Sequence, residues 1–165
     1  DGLYVVPEFK IDPALKEMFI DSVLTTKVGE GMYPGDMVPA AARPFVCAGV
    51  NGINNTMSPK YCDLSGLADI EAKPDILWIY GDRDLIVSDT SMCDVGFLGQ
   101  IGVMPGWPGL EACPPQPMLK QTRFVLEKYK ANGGFYREAK IAGGHGCMLD
   151  NEDAFVEELT AFMAR

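Results

Sequence analysis

A short apolar run that ends abruptly in charged residues constrains this chain more than any other feature. Residues 76–80 read ILWIY, and the sequence GDRD follows directly. Five consecutive apolar residues, rich in β-branched and aromatic side chains and bounded by Pro74 and Gly81, are typical of a strand buried on both faces of a parallel sheet. Acids just past such a strand lie where open α/β sheets place their chemistry. The structural alternative is that Asp82 and Asp84 are turn residues that bind their own backbone.

A second strand is predicted over residues 135–142, where apolar and polar side chains alternate as in a half-covered strand near a sheet edge. Between the two strands, residues 118–129 have helical spacing, and Asn132, Gly133 and Gly134 end that helix. Two strands joined through a helix make a right-handed parallel crossover. The sequence therefore predicts an α/β fold built on a parallel sheet with flanking helices.

The only histidine of the chain, His145, stands in a GGHG turn directly after the second predicted strand. Asp84 and His145 both follow parallel strands that are expected to be neighbours, so their side chains should share one edge of the sheet. An acid that orients and charges a histidine supplies two members of a nucleophile–base–acid triad. A lone histidine is more often structural, but its pairing with Asp84 favours a catalytic role.

Two segments depart from regular patterning. Residues 29–59 are rich in Gly, Pro and Asn, which predicts a loop, lid or linker. Residues 88–117 are long and apolar, which predicts an ordered insertion that covers the body or a pocket. Further helices are predicted over residues 13–27, over part of 58–70, and after the acids at 150–153, which suit an N-cap and first turn.

The acidic balance of the chain bears on its partners. Its 165 residues carry a formal net charge of -9, which argues against a nucleic-acid surface or an anionic membrane patch. No apolar run approaches the roughly 18 residues of a membrane span. A small neutral or apolar ligand fits this composition better.

The five cysteines have irregular spacing, and no C-x-x-C pair occurs. With one histidine to join them, a zinc site is not expected, and we predict neither a metal nor a cofactor. An odd count leaves at least one thiol unpaired, which favours a reducing compartment and predicts a cytoplasmic protein, while a disulfide between Cys93 and Cys113 stays open. The first residues show no signal peptide and no initiating Met, so a fragment of a longer protein is expected.

The two strand-end motifs together resemble a known family. ILWIYGDRDLIV, followed by a helix and then KIAGGHGCMLDNEDAFVEEL, resembles the C-terminal half of an α/β-hydrolase over about residues 58–165. The resemblance implies that Asp84 is the triad acid, that His145 is the base, and that Asp82 is a turn residue. It also implies a lid or cap region at residues 1–60, and half of the hydrolase core at 61–165 with its insertion at 88–117.

The nucleophile of that family has no counterpart in this sequence. No G-x-S-x-G elbow occurs, and the nearest imitation, Cys47 in PFVCAGV, has Phe45 where the first glycine belongs. In the family the nucleophile and the oxyanion hole lie in the N-terminal half. The resemblance therefore predicts a partner, the N-terminal half of the same enzyme, as a separate or cleaved chain.

The predicted function is hydrolysis of an ester or lactone bond in an apolar small molecule through a Ser-His-Asp triad. The two atypical segments lie next to the carboxyl edge of the sheet and are predicted to bind the substrate through Met32, Tyr33, Met37 and Trp107. One alternative replaces the serine by aspartate, as in the epoxide hydrolase and dehalogenase branches. Two others are a non-catalytic binding protein of the same fold and a plain interaction domain with a chance histidine.

Overall fold

The computed structural model describes residues 5–25 and 63–165, which belong to two units. The larger unit comprises Asp1–Lys10 and Leu67–Arg165, and the smaller unit comprises Ile11–Gly66. The predicted lid segment at 29–59 lies outside the described residues, so a lid at residues 1–60 stays a prediction.

The smaller unit contains helix α1, Pro13–Thr25. Asp12 caps this helix, because its carboxylate accepts the backbone amides of Ala14 at 2.9 Å and Leu15 at 3.2 Å. The helix thus begins where the Asp-Pro pair places it. Its apolar residues Met18 and Phe19 are exposed.

The larger unit follows the predicted order of elements, with short helices added. A 3-10 helix, Leu64–Asp69, crosses from the smaller unit into the larger one. The elements that follow are β1 Ile76–Gly81, α2 Val95–Gln100, α3 Met118–Ala131, β2 Tyr136–Ile141, α4 Cys147–Asp150 and α5 Glu152–Met163. In the described part of the chain no helix is both long and apolar enough to cross a membrane.

The two described strands form one parallel sheet. Ile76 lies opposite Tyr136 at one end of the register, and Gly81 lies opposite Ile141 at the other. Helices and a parallel strand pair joined through α3 confirm the predicted α/β class in this coarse sense. Both strands end at the same edge, which brings the turns after them together.

The prediction that β1 is buried on both faces was wrong. Its residues from Ile76 to Tyr80 are all half-buried, and Gly81 alone is fully buried. In the described part of the sheet, β1 has one neighbouring strand. On one face of β1, Trp78 and Tyr80 contact the charged side chain of Arg123 on α3 instead of an aliphatic layer. An apolar run cannot distinguish a strand covered on both sides from one that packs long aromatic rings partly against charged groups.

A polar network ties α3 to the sheet. The Glu138 carboxylate accepts Arg123 Nε at 2.9 Å, Arg123 Nη2 at 2.6 Å and the Tyr80 hydroxyl at 2.7 Å. The Arg123 guanidinium also lies over the Trp78 ring, 5.7 Å from its centroid. The hydrogen bond from Arg123 lowers the pKa of Glu138, while burial and then the bond to Glu138 raise the pKa of Tyr80.

The glycines after α3 have a packing reason. Tyr129 is fully buried and its hydroxyl donates to the Pro74 carbonyl. A Cβ on Gly134 would lie 2.1 Å from the Tyr129 ring, so only glycine fits there. The chain reverses at Gly133, whose φ is 91°, a value that favours glycine.

The insertion at residues 88–117 is ordered around Asp94. One carboxylate oxygen of Asp94 accepts the Gly96 amide at 2.9 Å and caps α2, and the other accepts the Gln116 amide at 2.6 Å. Asp94 therefore joins the start of α2 to the end of the insertion. Leu98 on α2 is buried, whereas Ile101 and Val103 after it are exposed.

Replacement of Glu138 by glutamine should lower the free energy of unfolding at neutral pH by about 1–2 kcal/mol, because a half-exposed charged network is weakened. The lowered pKa of Glu138 makes its contribution complete above the ordinary glutamate pKa of about 4.3, and this contribution is lost as the pH falls through the lowered value. The difference between Glu138→Gln and wild type in urea unfolding should therefore shrink on acidification. Glu157→Gln, at an exposed acid on α5, is the matched control; a pH-independent difference for Glu138→Gln would contradict the prediction.

Candidate functional site

Asp84 is the third residue after the end of β1, and its two carboxylate oxygens have different partners. Oδ1 accepts the backbone amides of Ile86 at 2.7 Å and Val87 at 3.0 Å, which makes a tight turn. Oδ2 lies 3.1 Å from Nδ1 of His145. The Asp84 side chain is 6% exposed and the His145 side chain 37%. The predicted acid and base are therefore in contact, the acid buried and the imidazole partly open to solvent.

The turn that carries His145 is fastened to the turn that carries Asp84 by backbone bonds. Past the ends of the strands, the Asp82 amide donates to the Ile141 carbonyl at 2.9 Å and the Arg83 amide donates to the Gly143 carbonyl at 2.8 Å. The Asp82 carboxylate in turn accepts the Gly143 amide at 3.1 Å. Asp82 is thus a turn residue that holds the neighbouring turn.

Gly81 allows these two turns to approach. A Cβ at this position would lie 2.1 Å from the Gly144 carbonyl oxygen and 2.4 Å from that of Gly143. The Gly143 carbonyl cannot move away freely, because it already accepts the Arg83 amide. The close approach of the two turns therefore requires glycine at the end of β1.

Asp150 holds the histidine turn from the other side, a role that the sequence analysis missed. Its Oδ2 accepts the Gly144 amide at 2.6 Å, and both of its oxygens accept the Val6 amide, at 3.1 and 3.2 Å. The prediction that acids from residue 150 onward cap the last helix was wrong for Asp150, since Asn151 is the cap of α5. An acid just before a helix is typical of a cap, so no local signal distinguishes the two roles.

Three described residues with nucleophilic atoms, Ser88, Ser91 and Cys147, have those atoms buried. The Ser88 hydroxyl has no hydrogen-bond partner among the described residues. Ser91 is fully buried, where its hydroxyl donates to the Ile86 carbonyl and accepts the Cys93 amide at 3.0 Å. Cys147 is buried too, and burial, followed by the charges of Asp84 and Asp150, raises the pKa of its thiol. A buried thiol held in its neutral form is a poor nucleophile. Cys47, the residue whose surroundings most resemble a nucleophile elbow, lies outside the described residues.

The predicted substrate residues divide into one that is described and three that are not. Trp107 donates from Nε1 to the Cys113 carbonyl at 2.9 Å, and its ring packs so closely on Gly99 that a Cβ there would lie 2.1 Å from it. These contacts hold the later part of the insertion, around Trp107, against its own helix α2. Met32, Tyr33 and Met37 lie outside the part of the chain that the structure describes, so their role stays a prediction.

The thiols and acids of the described residues form no metal centre. Cys93, Cys113 and Cys147 are free thiols, so the disulfide left open between Cys93 and Cys113 is not formed. Among residues 5–25 and 63–165, no group of three or more His, Cys, Asp and Glu side chains is placed to hold a metal ion.

Fold and site together define an α/β protein with a carboxylate–imidazole pair at the carboxyl edge of its parallel strands. Comparisons with protein-family models, with curated proteins and with solved structures gave no match to this chain.

Replacement of Gly81 by alanine should destabilise the larger unit by about 1–3 kcal/mol, because the new methyl group meets fixed backbone carbonyls. Gly66→Ala, at the end of the smaller unit, is the control for an added methyl group without a clash, since a Cβ there has nothing within 4 Å. Thermal and urea unfolding of the two variants measure the difference. Equal stability of Gly81→Ala and Gly66→Ala would show that the two turns are not held in contact.

Proposed function

We propose that this chain is part of a hydrolase of the α/β-hydrolase type, to which it contributes the acid Asp84 and the base His145 of a triad. The proposed substrate is an ester or lactone of an apolar small molecule. The observation that carries the proposal is the 3.1 Å contact between His145 Nδ1 and Asp84 Oδ2 at the carboxyl edge of two parallel strands. The two motifs that resemble the family supply both residues, in the family's order of acid before histidine.

The geometry suits the chemistry of a general base. A buried carboxylate at Nδ1 favours the tautomer with the proton on that nitrogen, so that Nε2 can accept a proton from a nucleophile. The same carboxylate stabilises the imidazolium that then forms. Because the amides of Ile86 and Val87 hold Oδ1 of Asp84, its Oδ2 keeps a fixed direction toward the ring. The partial exposure of His145 leaves the ring approachable by a substrate.

The nucleophile in this proposal comes from the N-terminal half of the same enzyme, on a separate or cleaved chain. Two observations support this assignment. The hydroxyl oxygens of Ser88 and Ser91 and the thiol of Cys147 are all buried, so none of them is open to a substrate. In addition, residues Ile76 to Tyr80 of β1 are only half-buried, which suits further elements of the N-terminal half packed against this strand. The negative net charge supports a small neutral ligand over nucleic acid or an anionic membrane.

The free thiols of Cys93, Cys113 and Cys147 support a reducing compartment, and we propose the cytoplasm. An aspartate nucleophile, as in the epoxide hydrolase and dehalogenase branches, would use the same Asp84 and His145. Labelling of the complete protein with a fluorophosphonate probe separates the two reactions, since the probe reacts with an activated serine. Absence of any labelled serine together with turnover of an epoxide or haloalkane would favour the aspartate branch.

In the complete enzyme, His145→Ala and Asp84→Asn should each lower kcat by about 10⁴-fold, because the first removes the base and the second removes the group that fixes its tautomer. Far-UV circular dichroism should show an unchanged fold for both variants. Steady-state turnover of a panel of esters and lactones is the measurement.

Asp82→Asn is the matched control for the acid, because Asp82 sits two residues away and contacts the Gly143 amide rather than the imidazole. A variant Asp82→Asn without turnover, beside an Asp84→Asn enzyme near wild type, would mean that the acid is misassigned. Full turnover in His145→Ala would overturn the proposed function, because the reaction would then not use His145 as its base.

Replacement of Trp107 by alanine separates a packing role from a substrate role. The contacts of Trp107 with Gly99 and Cys113 lead us to expect a lower melting temperature, since a half-buried ring and its hydrogen bond are lost. A pocket role would add a change in kcat/KM that differs between bulky and small esters. Met37→Ala, in the other predicted substrate segment, is measured on the same panel. A uniform loss on all substrates would remove the assignment of an apolar substrate pocket to these segments.

A further inference from the structure

The turn that carries His145 is held by two carboxylates on consecutive amides. The Gly143 amide donates to Asp82 at 3.1 Å, and the Gly144 amide donates to Asp150 at 2.6 Å. Gly144 directly precedes His145, so a shift of its peptide plane moves the Cα of the histidine. The ring of His145 has to meet Asp84 Oδ2 at 3.1 Å, a distance at which small displacements already weaken a hydrogen bond.

Of the two carboxylates, Asp150 has the stronger hold. The Asp82 side chain is 41% exposed and receives one backbone amide. Asp150 is half-buried and receives the amides of both Gly144 and Val6. Charge-assisted bonds from backbone amides to a carboxylate are shorter and stronger than neutral ones.

The contact with Val6 fixes Asp150 itself. Val5 and Val6 are buried, and the Val6 amide reaches both oxygens of the carboxylate from 144 positions away in the chain. The first described segment thus anchors the acid that anchors the histidine turn. The nearby ion pair of Glu8 with Arg83, at 3.3 Å, joins two exposed side chains and adds little.

We propose that Asp150 is a positioning residue for the base His145. Its carboxylate, locked by the Val6 amide, sets the place of the Gly144 peptide and through it the distance between His145 Nδ1 and Asp84. Asp150 takes no part in proton transfer. This inference rests on the proposed function for its kinetic consequence, but its structural consequence can be measured separately.

The kinetic test uses Asp150→Ala, Asp150→Asn and Asp153→Ala in the complete enzyme. Asp150→Ala should lower kcat by about 10- to 100-fold with KM nearly unchanged, the size expected when a catalytic group is misplaced by about 1 Å. Asp150→Asn keeps an acceptor for the Gly144 amide but turns an NH₂ group toward the Val6 amide, so its kcat should fall between those of Asp150→Ala and wild type. Asp153→Ala removes the same charge from an exposed site in the first turn of α5 and should match wild type.

The structural test reads the imidazole directly by ¹⁵N NMR of the complete protein labelled at histidine. The signals of His145 are assigned by their disappearance in His145→Gln. In wild type the ring should carry its proton on Nδ1, bonded to Asp84, and Asp150→Ala should reduce that population while Asp153→Ala leaves it unchanged. Loss of packing alone would lower the melting temperature without moving this tautomer signal.

The outcomes separate this inference from the proposed function. A wild-type kcat and a wild-type Nδ1 signal in Asp150→Ala overturn the positioning role, while lost turnover in Asp84→Asn still supports the hydrolase. Should Asp150→Ala not fold, wild-type behaviour of Asp150→Asn in both measurements overturns the positioning role. If His145→Ala keeps full turnover, the proposed function fails, and the NMR signal alone decides whether Asp150 positions the ring.

Discussion

The contact between the ends of the two parallel strands is the constraint on which the rest of the site depends. Gly81 lies opposite Ile141, and the backbone ladder continues past the strands through Asp82 and Arg83 into the turn before His145. Because Gly81 lacks a Cβ, the carbonyls of the histidine turn pass within a distance that no other residue permits. The imidazole and the carboxylate therefore meet through backbone geometry, before any attraction between their side chains is considered.

Acidic side chains in this chain accept hydrogen bonds from backbone amides that backbone carbonyls or water would otherwise satisfy. Asp89 accepts the amides of Leu119 and Lys120 at the start of α3, at 2.9 and 3.1 Å, across a separation of about thirty residues. Asp94 closes the insertion in the same way. A carboxylate at a helix N-terminus satisfies orphan amides and interacts favourably with the helix dipole. Part of the negative charge thus stabilises loops, which explains how a segment rich in Gly and Pro is ordered.

The features that could be predicted from the sequence depend on residues that are close together in the chain. Short sequence patterns, combined with the handedness of crossovers, predict four of these features. They are the start of α1 at Asp12, the end of α3 before its two glycines, the parallel strand pair, and the contact of Asp84 with His145. The half-buried state of β1 and the bond from Val6 to Asp150 did not follow. Burial depends on what covers a strand, and a bond spanning 144 positions leaves no periodic signal in either segment.

The two interpretations of the acidic turn, structural and catalytic, are not exclusive, because a carboxylate has two oxygens. Asp84 Oδ1 makes the turn by accepting the amides of Ile86 and Val87, and Oδ2 faces the imidazole. The catalytic interpretation requires the turn, because a carboxylate free to rotate would not keep one oxygen next to the imidazole ring. Finding Asp84 in a turn therefore does not count against a catalytic role. A buried acid already fixed by its own backbone can hold a histidine tautomer without further reorganisation when charge develops.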